Sequence, residues 1–223
     1  MQLRFACDYT GEEYVRQQGW LKASLPSCPL HPHGGCGLAR HGTYARVSPP
    51  GTLIARWYCP EGRCTFSLLP DWFAARLKGG LCEVEAVVRD AEQAPSLEAA
   101  CAHLRVDIEL PGALRWIGRR VREVHASLHL LKGLLPEHFA GCEATLAGFG
   151  ERLEVADVLV SLRGIGAEFL RTLPKPLGFR PRRQPGGARH GGRQHRAGSD
   201  PPGASAQRRA GRQIACATRS RRS

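Results

Sequence analysis

The stretch Arg56-Trp57-Tyr58-Cys59-Pro60-Glu61-Gly62-Arg63-Cys64-Thr65-Phe66 decides how this chain is read. An extended run ends in two thiols on one tight loop, and a second extended run follows. A tetrahedral zinc ion needs four donors, with sulfur at about 2.3 Å, and two thiolates on one turn supply half of them. The other half is expected on an earlier turn, at the opposite end of the hairpin. Cys28-Pro29-Leu30-His31-Pro32-His33-Gly34-Gly35-Cys36 is placed for that. The metal set read from spacing is therefore Cys28, Cys36, Cys59 and Cys64, with His31 as an alternative to Cys36 through its C-x2-H spacing from Cys28. His33 and His41 are weaker candidates. The competing reading is unlinked buried thiols, since Cys packs as a small hydrophobe. Four thiols within 28–64, all near predicted turns, favour metal. Four protein donors leave no open position, so such a Zn2+ is structural.

Working outward, Thr43–Val47 and Leu53–Tyr58 read as strands around a Pro49-Pro50-Gly51 turn, with a third short strand over Thr65–Leu69. Before them, Leu3 and Phe5 suggest a short strand, and Glu12–Leu21 a polar helix ended by Pro26. After Gly79-Gly80 the period becomes helical. Leu81, Val84, Val88 and Ala91 mark one helix; Ser96 caps a second, through Leu104, and Pro111-Gly112 reads as the next turn. Leu114, Ile117, Val121, Val124, Leu128 and Leu131 then give a long amphipathic helix stopped by Pro136, and one or two helices follow within 143–172. The expected class is α+β: an N-terminal extension (1–25), a zinc-ribbon β-hairpin module (26–72), an all-α region (80–173) and a disordered basic C-terminal tail (174–223).

The charge belongs to that tail. Of 32 Lys/Arg and 20 Asp/Glu, 13 and one fall after residue 173, leaving 19 of each before it. The tail reads as a solvated extension, a phosphate-gripping arm or an out-of-frame end. No apolar run reaches the length of a membrane span and no secretory signal opens the chain, so no membrane partner is expected and the compartment expected is the cytoplasm. In that compartment nine cysteines argue for metal or buried thiols over disulfides. Cys7, Cys82, Cys101, Cys142 and Cys216 lie apart from the cluster and read as packing or incidental residues.

On the long helix Arg115, Arg119 and Arg122 follow i, i+4, i+7 opposite the apolar seam, with Arg120 beside them. A short helix, a connector and a helix with a basic face outline a helix-turn-helix over 96–131, whose arginines would meet phosphates and base edges of double-stranded DNA. The eight-residue connector Arg105–Gly112 exceeds the usual turn. An ordinary solvated helix face is the alternative. His125 and His129, at i, i+4 without a third ligand, read as surface residues. No catalytic constellation is found: neither a Ser/His/Asp set nor a phosphate loop nor an acid pair in a strand context.

Together, Cys28-Pro29…Cys36, His41-Gly42-Thr43-Tyr44, Arg56-Trp57-Tyr58-Cys59-Pro60 and Thr65-Phe66-Ser67-Leu68-Leu69-Pro70 resemble the zinc-ribbon region of bacterial insertion-sequence transposases and related mobile-element proteins. The resemblance spans about residues 26–125. It implies a second knuckle followed by a helix-turn-helix, with Cys28, Cys36, Cys59 and Cys64 as ligands and DNA binding at element ends or a repressor-like role. The catalytic part of such transposases is not carried over, so the expectation is a truncated or accessory, transposase-like DNA-binding protein. The alternative is a zinc-ribbon interaction module, docking a partner or a second copy as a homodimer through the seam of the long helix.

Overall fold

The structure, a computed structural model, describes residues 1–106 and 109–179. Four strands form one sheet in the order β1-β4-β3-β2: β1 (Gln2–Phe5), β2 (Ala39–Ala45), β3 (Leu53–Cys59) and β4 (Cys64–Pro70). The β2–β3–β4 meander is antiparallel, as its two turns predict. β1 adds parallel to β4, Leu3 beside Leu68. The N-terminal strand is thus part of the ribbon sheet. Between β1 and β2 lies α1 (Gly11–Arg16), opened by a capping box in which Thr10 Oγ1 accepts from Glu13 N–H and the Glu13 carboxylate accepts from Thr10 N–H. The predicted helix through Leu21 is cut short at Gln18, whose φ of 51° is left-handed, and resumes as a single 3-10 turn, Gly19–Leu21.

Side chains alternate across the strands, so the sheet has two distinct faces. On one, Leu3, Ala55, Trp57, Cys59, Phe66 and Leu68 pack beneath the 19–38 loop through Ala23, Leu25, Cys28, Cys36 and Leu38. On the other, Tyr44, Ile54 and Leu69 enter the main core. That core is completed by α2 (Leu81–Gln93), α4 (Leu110–Leu134), α5 (Pro136–Phe139), α6 (Leu146–Leu153) and α7 (Val158–Ile165). Ribbon sheet and helices therefore share one interior. α3 (Leu97–Leu104) packs on α4 in a satellite cluster of Ala100, Cys101, Ala113 and Ile117.

The long helix begins earlier than its apolar spacing suggests. Pro111 stands in its first turn, where a missing N–H costs nothing, so the predicted Pro111-Gly112 turn is helix instead. The connector from α3 shrinks to residues 105–109. At the far end, Pro136 opens α5 just after α4 stops at Leu134. The seam of α4 is filled by this chain's own side chains: Ile117, Val124, Leu128 and Leu131 are fully buried. A second copy would have to use another surface.

Buried charge ties the helices together. Arg163 on α7 has no exposed surface, and its guanidinium donates to five carbonyls, those of Pro70, Asp71, Phe73, Pro176 and Leu177. Burial lowers its pKa to about 9. Two glutamates one heptad apart on α2 act at helix N-termini. Glu85 accepts from the N–H groups of Val158 and Leu159 at the start of α7, and Glu92 from Leu146 N–H at the start of α6. Carboxylates there satisfy orphan donors and meet the positive end of the helix dipole.

The predicted tail boundary moves. Leu177 and Phe179 are buried in the main core, and Pro176 and Leu177 serve Arg163, so residues 174–179 belong to the folded unit. The rest of the predicted tail, from 180 and including Cys216, lies outside the described residues. Among the described residues no helix is long and apolar enough to cross a membrane.

Candidate metal centre

Cys28, His31, Cys36 and Cys59 converge beneath the sheet, their four donor atoms all within 4.8 Å of one another. Two turns and one strand end bring them there. Cys28 and His31 sit on a turn closed by the His31 N–H to Cys28 carbonyl bond, 3.0 Å. Gly34 and Gly35, with φ of 83° and 80°, then swing the chain round so that Cys36 returns to the same point. Cys59 is the last residue of β3. Its Sγ accepts from the N–H of Gly62 at 3.2 Å, in the β3–β4 loop. A Cβ at Gly62 would lie 2.6 Å from the end of the Leu30 side chain and 3.3 Å from the Cys59 sulfur, so a larger residue there would have to displace Leu30.

His31 faces the centre through Nδ1, which is 3.5 Å from Cys28 Sγ and 3.4 Å from Cys59 Sγ. Its other nitrogen, Nε2, lies 3.4 Å from the Glu61 carboxylate. An outer carboxylate on the second nitrogen of an imidazole fixes ring orientation and makes the inner nitrogen a better donor. The three thiols are buried and His31 is half-buried. Burial pushes the Cys28 thiol up, but the bond to His31, the backbone N–H groups of Leu30 and His31 and the contact with Cys59 outweigh it and bring it to about 7. Cys59 moves the other way, raised by burial and by its bonds to Cys28 and Cys36, with the Gly62 N–H opposing. One thiol of the group is thus already poised towards thiolate. Three thiolates and an imidazole in this arrangement could hold a metal ion.

The alternative left open between Cys36 and His31 disappears, since both belong to the group. The place His31 takes is the one spacing assigns to Cys64. Cys64 pairs with Cys59 across the β3–β4 ladder and packs beside the cluster, but its Sγ points to the carbonyl of Thr65, 3.8 Å away, and is not among the four converging donors. The physical reason is the loop length. Four residues between the cysteines return Cys64 to the ladder, and the N–H that approaches the Cys59 sulfur is that of Gly62. His33 and His41 are exposed and also lie outside the group. Glu61 was not singled out by spacing, although its position two residues after Cys59 is the available signal.

The arginines of α4 divide. Arg115, Arg119 and Arg122 are exposed on one side of the helix, and none has a hydrogen bond or ion pair among the described residues. Arg120 leaves the row. It is buried, its guanidinium lies 3.6 Å from the centre of the Trp116 ring and it donates to the Trp116 carbonyl. Burial, with Arg105 and Arg119 nearby, lowers its pKa to about 10. Arg120 is a packing residue here, because the i, i+4 step from Trp116 lays it on the aromatic face. His125 bonds Glu92 at 2.8 Å and takes no part in a pair with exposed His129.

Comparison with models of known protein families, with characterised proteins and with solved structures gives no match, so function rests on this chemistry.

Proposed function

We propose that the chain is a zinc-dependent DNA-binding protein in which the metal is structural and α4 contacts duplex DNA. Three thiolates with one imidazole suit Zn2+ in a closed tetrahedron, which leaves no position for a water or substrate. The metal then offsets the ordering cost of a loop with little apolar content of its own. The observation that carries the DNA reading is the row of Arg115, Arg119 and Arg122. These cations are exposed and unspent on the outer face of a helix whose inner face is anchored in the core. A five-residue connector between α3 and α4 supports a helix-turn-helix-like arrangement better than the eight residues read from sequence. The sequence resemblance to the recognition region of mobile-element transposases, without their catalytic part, points the same way.

Duplex binding followed over a salt series tests this. Neutralising Z phosphates gives a slope of about −0.9Z in log affinity against log salt. Replacing Arg115, Arg119 and Arg122 together with Gln in the full chain reduces that slope by about 2 to 3. An unchanged slope would mean that α4 is a solvated face, leaving the interaction-module reading in its place.

A further inference from the structure

We propose that the sheet face turned away from the metal is a second contact surface, built for an unpaired nucleic-acid strand. The helices cover only part of this face. Ile54 and Leu69 are fully buried, whereas Arg56, Tyr58, Thr65 and Ser67, nearer the metal end, are only half-buried. The register sets them in two rungs, Arg56 opposite Ser67 and Tyr58 opposite Thr65. The Tyr58 ring lies against the ring of His41 on β2, centroids 5.5 Å apart at 40°. Arg56 has no hydrogen bond or ion pair among the described residues. Arg63 stands exposed at the tip of the adjoining loop.

The unpaired charge of these strands is of one sign, since the carboxylate of Asp71, just past β4, is held by Arg4. None of the four strands contains an acidic residue. Arg40 and Arg46 are bonded to the carbonyls of Trp20, Leu21 and Leu77, which leaves Arg56 and Arg63, and the acid of the adjoining loop, Glu61, is turned towards His31. A surface with two arginines, two hydroxyls and a tilted pair of rings matches a ligand that is polyanionic and also has flat faces. Duplex DNA offers the charge but hides its base faces in the stack. An unpaired strand offers both, its phosphates for Arg56 and Arg63 and its bases for the Tyr58–His41 pair. This goes beyond the duplex reading and stands whether or not α4 binds a duplex.

The test uses the full-length, metal-loaded protein and fluorescein-labelled oligo-dT and oligo-U, with a duplex for comparison. Tyr58→Leu keeps apolar bulk but removes the aromatic face; it should weaken oligomer binding about fivefold or more and leave duplex binding unchanged. Arg56→Gln should reduce the salt dependence of oligomer binding. In parallel, photo-cross-linking of the unmodified protein to an oligomer carrying 5-iodouracil should label peptides within 39–63. Stronger labelling with oligo-U than with oligo-dT would identify RNA as the preferred strand. Unchanged affinity in both variants overturns the proposal. So does cross-linking confined to residues after 179, which also decides the matter if a variant loses its metal.

Discussion

On one face of the sheet, Cys28, His31, Cys36 and Cys59 gather around a point where an ion can sit, under a loop with few large apolar side chains. On the other, Val88, Val124, Leu128, Phe139, Phe149 and Leu162 fill a continuous core, and the one charge buried fully within it is spent on carbonyls. Both regions must order irregular backbone, 24–38 in one case and 166–179 in the other. The first has side-chain donors that converge on a point where an ion could be held. The second has a guanidinium that the chain supplies itself. If the proposed metal is bound, the order of the first depends on metal, redox state and chelators, while that of the second depends only on the fold.

The largest effect should come from removing the conditional partner. Cys59→Ser, or a strong chelator, should strip the metal and abolish hydrogen-exchange protection in 25–38 and 59–64 while α4 stays protected. Structural zinc contributes about 10 kcal/mol or more to small sites, so partial loss is not expected. If α4 lost protection at the same time, the two regions would be a single cooperative unit and the contrast would fail. Next, Arg163→Met should leave the carbonyls of Asp71, Phe73 and Leu177 without their donor, while those of Pro70 and Pro176 keep the N–H groups of Phe73 and Ala75. That predicts about 3–5 kcal/mol lost in urea denaturation, with metal content unchanged. A loss under 1 kcal/mol would show that water or neighbouring groups replace the guanidinium.

Smaller changes sharpen the metal side. His31→Ala should weaken cobalt or zinc affinity about a hundredfold, whereas Cys64→Ser should change it less than about tenfold. The reverse order would return Cys64 to the ligand set. On the helical side, Glu85→Gln should cost about 1–3 kcal/mol, because the amide keeps one acceptor oxygen for α7, sets its NH2 against the second N–H and loses the charge that meets the helix N-terminus and Arg89. Glu61→Gln should have the least effect, about a tenfold loss of metal affinity at most, since that carboxylate is 60% exposed and touches the centre only through His31.

What could be read before the structure was local. The 3,4 spacing from Leu114 to Leu131, the Ser96 cap and the run Leu53–Tyr58 became the elements they suggest, whereas β2, at Ala39–Ala45, begins four residues before the expected Thr43. Cys28 and Cys59 were legible because turn residues and thiols adjoin in sequence. The choice of Cys36, His31 and Cys64 was not, because it depends on how far a loop returns before its ladder resumes. The parallel pairing of β1 with β4 was hidden for a similar reason: a four-residue strand does not name its partner. Arg163 reads as an ordinary basic residue in Val158-Leu159-Val160-Ser161-Leu162-Arg163, since its acceptors come from 70–73 and 176–177. Lys175-Pro176-Leu177-Gly178-Phe179 looked like tail because its composition is that of the residues after it, although its two large apolar side chains close the core.

Those two acceptor segments also impose an order on biosynthesis. Chains fold as they leave the ribosome, from the N-terminal end first. The four strands and the loop that carries the four donors lie within residues 2–70 and have all emerged while the helices are still being made. Arg163 cannot complete its set of bonds until residue 177 has emerged, and until then its charge has only the 70–73 carbonyls to meet it. A nascent chain stalled shortly before residue 176 would hold the donor loop on one face of its sheet, with the core behind the other face still open.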